Sequence, residues 1–282
     1  MKGYKTAVGY GWIVLKNEWR NIGTYFFLLF IFLAVQFICP GIAEYLNETD
    51  GNVNIWELYI WFMSARQSQI IYLAGMVGLG CSVIKMHQGA AFYLVRMDRR
   101  TWIRSQTFVV FFNILAINLF LIFSFAVACR GRVMLQPEWS KAAVTAAQFR
   151  VKTIGLRGIM SAPFGLLQHN PNSIGFLSFV LAVLLGMVMG QFMMLCSLKA
   201  KIPVGMMAVF CMWFLDILAV YIPMFEKIQY FLPFGLSRVS YTTLNYGMIP
   251  PEHSVLFLLL CTVCLMQINV YVCGNTDFIK ID

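Results

Sequence analysis

Ile174-Gly-Phe-Leu-Ser-Phe-Val-Leu-Ala-Val-Leu-Leu-Gly-Met-Val-Met-Gly-Gln-Phe-Met-Met-Leu-Cys-Ser-Leu198 is an apolar run without a charged side chain. Wound as a helix it is roughly 37 Å long, enough to cross the ~30 Å hydrocarbon core of a bilayer. Five further runs read the same way, at about 22–38, 69–86, 107–129, 203–222 and 254–273. The expected fold is therefore all-α and integral to a membrane, with six transmembrane helices and both termini cytoplasmic. Residues 1–21, which mix Trp12, Ile13 and Trp19 with Lys5, Lys16 and Arg20, read as an amphipathic elbow helix on the inner leaflet. Residues 22–282 form the transmembrane domain, with a cytoplasmic segment at 87–104 and outer loops at 130–173 and 223–253.

Composition agrees. The 282 residues are 60% hydrophobic and only 12% charged, with a mean hydropathy of +0.74. Soluble domains carry ~25% charged residues, and lipid leaves no place for that solvated face. Six spans with their connectors nearly exhaust the chain, so no ordinary soluble enzyme domain fits beside them. The net charge of +9 would point to nucleic acid in a soluble protein. Here the basic residues cluster at helix ends, where orientation and anionic headgroups account for them, and no nucleic-acid partner is expected. The cysteines lie in or beside apolar runs and read as small buried hydrophobes. Cys261-Thr-Val-Cys264 has no second pair and no nearby His, so no metal site is expected.

Positive charge sets the orientation. Lys2, Lys5, Lys16, Arg20, Lys85, Arg96, Arg99, Arg100, Arg104, Lys199, Lys201 and Lys280 fall inside on a six-span count. The segment after the first run, with Glu44, Asn47, Glu48, Asp50 and Glu57, is acidic and expected outside as polar loop. The connector 130–173 conflicts with the rule, because it holds Arg130, Arg132, Lys141, Arg150, Lys152 and Arg157 on the outer side. Small residues in the second run, Ala74, Gly78 and Ser82, recur every fourth position and suit close helix packing. Gly186 and Gly190 do the same in the fourth.

Enzymatic motifs are missing. The sequence contains no Gly-x-x-x-x-Gly-Lys-Ser/Thr loop for nucleotide phosphates, no Gly-x-Ser-x-Gly and no His-Glu-x-x-His, and His87, His169 and His253 are scattered. No catalytic residue and no bound cofactor are expected. Asp216 is the one carboxylate near mid-span, and a buried carboxylate defaults to a functional candidate. Read alone it lacks an intramembrane cation, which makes it a poor proton relay. Asn113, Asn118, Gln191, Gln267 and Asn269 complete a candidate polar path, with interhelical glue as the plainer reading.

The segment Gln88-Gly89-Ala90-Ala91-Phe92-Tyr93-Leu94-Val95-Arg96-Met97-Asp98-Arg99-Arg100-Thr101-Trp102 alternates apolar residues with arginines and continues to Arg104. Such a helix lies on anionic lipid or docks on a partner protein. An elbow helix, a small-residue second span, this segment and the outer loop Tyr230-Phe-Leu-Pro-Phe-Gly235 come in an order that resembles permease subunits of type-2 ATP-binding-cassette (ABC) exporters. His87 and Met97-Asp98 depart from that family's pattern.

The resemblance implies that Gly89, Phe92, Tyr93, Arg96, Arg99, Arg100, Trp102 and Arg104 contact a separate ABC ATPase subunit. That subunit, not this chain, would bind ATP and magnesium. It further implies a second permease subunit, an amphipathic exported substrate (peptide, lipid or drug) and a bacterial cell membrane. Two readings from other classes stand beside it: a secondary transporter or channel using Asp216, and a non-transporting accessory or sensor subunit.

Overall fold

The computed structural model describes residues 2–38, 46, 52–65, 68–85, 98–149, 164–199, 202–222, 228, 231–242 and 250–275. Eleven α-helices lie within them, besides a 3-10 helix at Phe164–Gln168: α1 (Lys2–Glu18), α2 (Ile22–Ile38), α3 (Ile55–Ser64), α4 (Gln69–Lys85), α5 (Arg99–Ala128), α6 (Lys141–Phe149), α7 (Pro171–Lys199), α8 (Ile202–Tyr221), α9 (Pro233–Leu236), α10 (Val239–Thr242) and α11 (Pro251–Asn275). Two residues on each of two short strands, β1 (Val53–Asn54) and β2 (Val133–Met134), pair in parallel. The fold is all-α apart from this clip.

Among the described residues three helices are long and apolar enough to cross a membrane: Arg99–Ala128, Pro171–Leu198 and Pro251–Asn275. Helices α1 and α2 together supply a fourth crossing at most, and they meet at 72°. The remaining apolar helical stretches, Gln69–Gly78 and Pro203–Ala219, are shorter than a full span. The expectation of six spans is thus met by three or four on length and composition. A helix of 17 residues, such as α2, reaches only about 25 Å.

Helix α5 is the axle. Across its 30 residues it buries one face of Ile103, Val110, Ile114, Ile117, Leu121 and Phe125 against the other long helices. Close approach to α7 depends on glycine: a Cβ on Gly186 would sit 2.8 Å from Ile114, and one on Gly190 would sit 2.6 Å from Val110. Gly78 of α4 likewise faces the ring of Phe27, and Gly75 faces Ile31. Helix α4 therefore packs against α2 of its own chain. Ala74 is half-buried there, and the side chain of Ser82 lies outside the described residues.

Helix directions follow from these contacts. Ser105 and Phe108 near the start of α5 meet Gly11 of α1. Trp102 and Ile103 form one cluster with Met194 and Leu198 near the end of α7 and Cys273 near the end of α11. The thiol of Cys273 donates to the carbonyl of Arg99. One end of the bundle thus gathers α1, the start of α5 and the ends of α7 and α11. The opposite end holds α3, α6 and the short helices α9 and α10.

Two loops expected from sequence are partly helix. Residues 55–64, placed in the polar outer segment, form α3, seven of whose ten residues are buried. Ile-Trp-Glu-Leu-Tyr-Ile-Trp-Phe-Met is too short to span and too apolar to stay in water, so it wedges into the bundle. Within the loop 223–253, every residue from Pro233 to Ser240 is buried against the bundle.

Candidate functional site

The carboxylate of Asp216 is not alone. Helix α8 carries it into the core, where the Nη2 of Arg238 donates to its Oδ2. Asp216 and Arg238 are both fully buried. The expectation of a lone carboxylate without an intramembrane cation is overturned. Arg238 reaches it because α9 and α10 fold the 233–242 segment back between the helices instead of leaving it in water. The turn from α9 into α10 closes with Ser237, whose hydroxyl donates to the carbonyl of Phe234 at 2.8 Å.

Gln69 at the start of α4 completes the cluster. Its Oε1 accepts from both Nε and Nη2 of Arg238, each at 3.1 Å, while its Nε2 donates to the carbonyl of Met63 at 3.0 Å and to Ser237 at 3.3 Å. One guanidinium therefore holds α4, α8 and the α9–α10 turn together. An arginine suits this role because its planar fork offers several donors at fixed angles and stays charged. Breaking one partner of such a pair strands the other charge in a low-dielectric interior.

A neutral hub lies between α3, α4, α5 and α7. The hydroxyl of Tyr59 donates to Asn118 Oδ1 at 2.6 Å, and Asn118 Nδ2 donates to Tyr72 Oη at 3.2 Å and to the carbonyl of Ile114 at 2.8 Å. Tyr72 in turn donates to the carbonyl of Ala182 at 2.8 Å. Nearer the start of α5, Asn113 joins the end of α1: its Nδ2 donates to Glu18 Oε2 at 2.9 Å and its Oδ1 accepts from Trp19 Nε1 at 3.1 Å. Asn269 of α11 donates to the carbonyl and Oε1 of Gln191 at 3.0 and 2.9 Å. Four of the candidate polar residues thus pair with helices of this chain. Gln267 alone points away from the bundle and joins none of them.

The end of the bundle that holds α3 and α6 has a separate buried acid. Glu57 of α3 accepts from the Ser140 backbone N–H at 2.6 Å and from the Ser140 hydroxyl at 2.7 Å. That hydroxyl also caps α6 by accepting from Ala143 N–H at 3.0 Å. Burial pushes the Glu57 carboxyl up to about 7, against the two Ser140 hydrogen bonds, which favour the ionised form. Asn54 braces the same region by donating to the carbonyl of Gln136 and to Asn172 Oδ1.

The proposed coupling residues divide. Gly89, Phe92, Tyr93 and Arg96 lie outside the described residues. Arg100 is exposed and Arg99 and Arg104 are half-buried at the start of α5. Trp102, expected on a docking face, is buried in the Met194–Leu198–Cys273 cluster, because the helix turns its apolar side inward at that register. Among the described residues no three His, Cys, Asp or Glu side chains are placed to hold a metal.

Arg238, Gln69, Glu18 and Glu57 are among the buried polar residues that sequence reasoning did not single out as site candidates. Their only sequence signal is an ionisable or amide group flanked closely by large apolar residues, as in Phe234-Gly-Leu-Ser-Arg-Val239. No protein-family model, curated protein or solved structure matches this chain.

Proposed function

We propose that the chain is the membrane-embedded permease subunit of an ABC exporter, moving an amphipathic substrate with energy from ATP hydrolysed on a separate subunit. In this reading α2, α4, α5, α7, α8 and α11 cross the membrane, α1 serves as the elbow, and both termini face the cytoplasm. The observation that carries it is the gathering of α1, the arginine-bearing start of α5 and the ends of α7 and α11 at one end of the bundle. Lys16, Arg20, Arg99, Arg100 and Arg104 then share the cytoplasmic side, as the positive-inside rule requires.

Force applied at Arg99 and Arg100 would reach the whole bundle, because α5 is a single rod about 45 Å long that touches most of the other helices. The ATPase contact is assigned to residues 87–104, with Arg99, Arg100 and Arg104 as its basic groups. ATP and magnesium belong to the partner. The tagged chain, extracted from its native membranes, should bring down an ABC ATPase. Arg99→Glu/Arg100→Glu should abolish stimulation of that ATPase while membrane insertion is kept. Repeated purification without any ATPase would sink the proposal.

A second reading rests on a specific observation, the buried Asp216–Arg238 pair. Exchange of its partners would let a secondary transporter couple a cation to substrate movement. It requires transport in vesicles that lack any ATPase, and loss of that transport in Asp216→Asn.

A further inference from the structure

A groove of about 660 Å³ runs between α2 and α5 on the outside of the bundle. Ligand sites span roughly 300–1,000 Å³, so it is large enough to hold one. Buried Leu28 lies at its floor, and its rims are the exposed Tyr25 of α2 and Leu119 and Phe123 of α5. Trp19 closes one end, its indole fixed by the bond from Nε1 to Asn113 Oδ1. Farther along, the two helices are tied together where Gln36 Nε2 donates to the carbonyl of Ser124 at 3.0 Å. Only Trp19 and Tyr25 bring a polar side-chain atom to the lining.

The Trp19 end carries charge of one sign. Lys16 and Arg20, about one turn apart, are exposed, and neither pairs with an acid among the described residues. The one acid in residues 1–38 is Glu18, which is buried and accepts from Asn113. Two aromatic side chains with polar tips, Trp19 and Tyr25, stand beside these cations, a grouping typical of the headgroup level of a bilayer. From there the groove follows α2 over positions 25–32, about 10 Å of helix.

We propose that the groove holds an acyl chain of one anionic phospholipid, whose headgroup rests on Lys16 and Arg20. Basic side chains at the membrane surface attract anionic headgroups, and a hydrocarbon chain below them asks only for apolar contact. Other occupants fit worse. A polar molecule would meet no converging donors and acceptors. An unwound peptide would leave its backbone groups unsatisfied against these side chains. The lipid is a resident of the groove and not exported cargo. Such a site needs α2 and α5 in a membrane and owes nothing to the ATPase.

Photolabelling tests it. The full-length protein is placed in phosphatidylcholine vesicles that carry a trace of phosphatidylglycerol with a diazirine in its acyl chain. Adducts mapped by mass spectrometry should concentrate at residues 28–32 and 119–123. Unlabelled phosphatidylglycerol should suppress them, whereas the same amount of extra phosphatidylcholine should not. Lys16→Gln/Arg20→Gln, at two exposed positions, should lower labelling roughly tenfold or more through loss of both headgroup contacts. Ala116→Phe, which fills the groove from α5, should abolish labelling there.

Adducts spread evenly over the exposed faces of α8 and α11 overturn the proposal, since the chain then meets lipid only as a solvent. Labelling that Lys16→Gln/Arg20→Gln leaves unchanged, or that extra phosphatidylcholine suppresses equally, does the same. Loss of the groove adducts when ATP is added to native membranes loaded with the probe makes the lipid cargo and overturns its residence. Alkaline carbonate extraction of native membranes tells the two layers apart. A released protein fails the membrane reading, while a retained one without groove adducts fails only the lipid site.

Discussion

Arg238 meets Asp216 across 22 positions of sequence, with both side chains fully buried and Gln69 Oε1 accepting two further bonds from the same guanidinium. Removing one partner leaves an uncompensated charge, whereas removing both leaves an apolar site of similar volume. Arg238→Met should therefore destabilise the detergent-solubilised protein by ~3–5 kcal/mol, and Asp216→Leu/Arg238→Met by clearly less. Thermal unfolding of the two variants side by side checks this. A double variant as unstable as the single one would show that the pair does not act as a unit.

Stability should depend on pH through Glu57. Its carboxyl is raised from 4.5 to about 7 in the folded protein, chiefly by burial. Between those values the folded chain holds a proton that the unfolded chain has released. Stability is therefore fully present below pH 4.5, falls as pH rises to 7, and is flat above it, a change on the order of 3 kcal/mol at most. Protection of the α6 amides, taken relative to their intrinsic exchange rate at each pH, should be greater at pH 5 than at pH 8, because Glu57 anchors that helix through Ser140. Glu57→Gln should erase the difference.

The Asn118 carboxamide ties α5 to α3 and α4, and Tyr72 carries the link on to α7. Asn118→Leu takes from Tyr59 the oxygen to which its hydroxyl donates, at a cost of ~1–3 kcal/mol. Tyr59→Phe in that background removes the stranded hydroxyl and should regain part of the loss. Additive effects of the two changes would argue that the 2.6 Å contact contributes nothing.

At Gly186 the neighbours are Ile114 and the Tyr72 hydroxyl, each 2.8 Å from where a Cβ would stand. Gly186→Ala should cost ~1–3 kcal/mol by forcing α5 and α7 apart. Made in an Ile114→Ala chain, the same change should cost measurably less. Equal costs in both backgrounds would remove Ile114 as the reason for the glycine.

Hydropathy located the apolar helices well, since the runs at 22–38 and 69–86 coincide with Ile22–Ile38 and Gln69–Lys85 within a residue. The third run, from 107, lies within a helix that begins eight residues earlier, at Arg99. Arg99, Arg100 and Arg104 are poor lipid residues but good helix formers, so the helix extends beyond its apolar part. Buried ionisable residues were harder. Arg238 and Glu57 lower the local hydropathy and so read as loop, and only tertiary contacts with Asp216 and Ser140 offset the cost of burying them. A single sequence carries no sign of a pairing over such separations. For Asn113, Asn118, Gln191 and Asn269, polar groups in apolar runs, the expectation of interhelical bonding was legible and their partners were not.

The side chain of Asn54 caps α3 and bonds to Asn172, 118 residues downstream, while Trp56 packs over Gly175. At ~5–20 residues per second, roughly 6–24 s of synthesis separate the two asparagines. During that interval the apolar wedge Ile55–Ser64 has emerged but lacks the α7 side of its seat. The nascent chain must therefore be shielded, by the insertion machinery or by a chaperone, until α7 arrives.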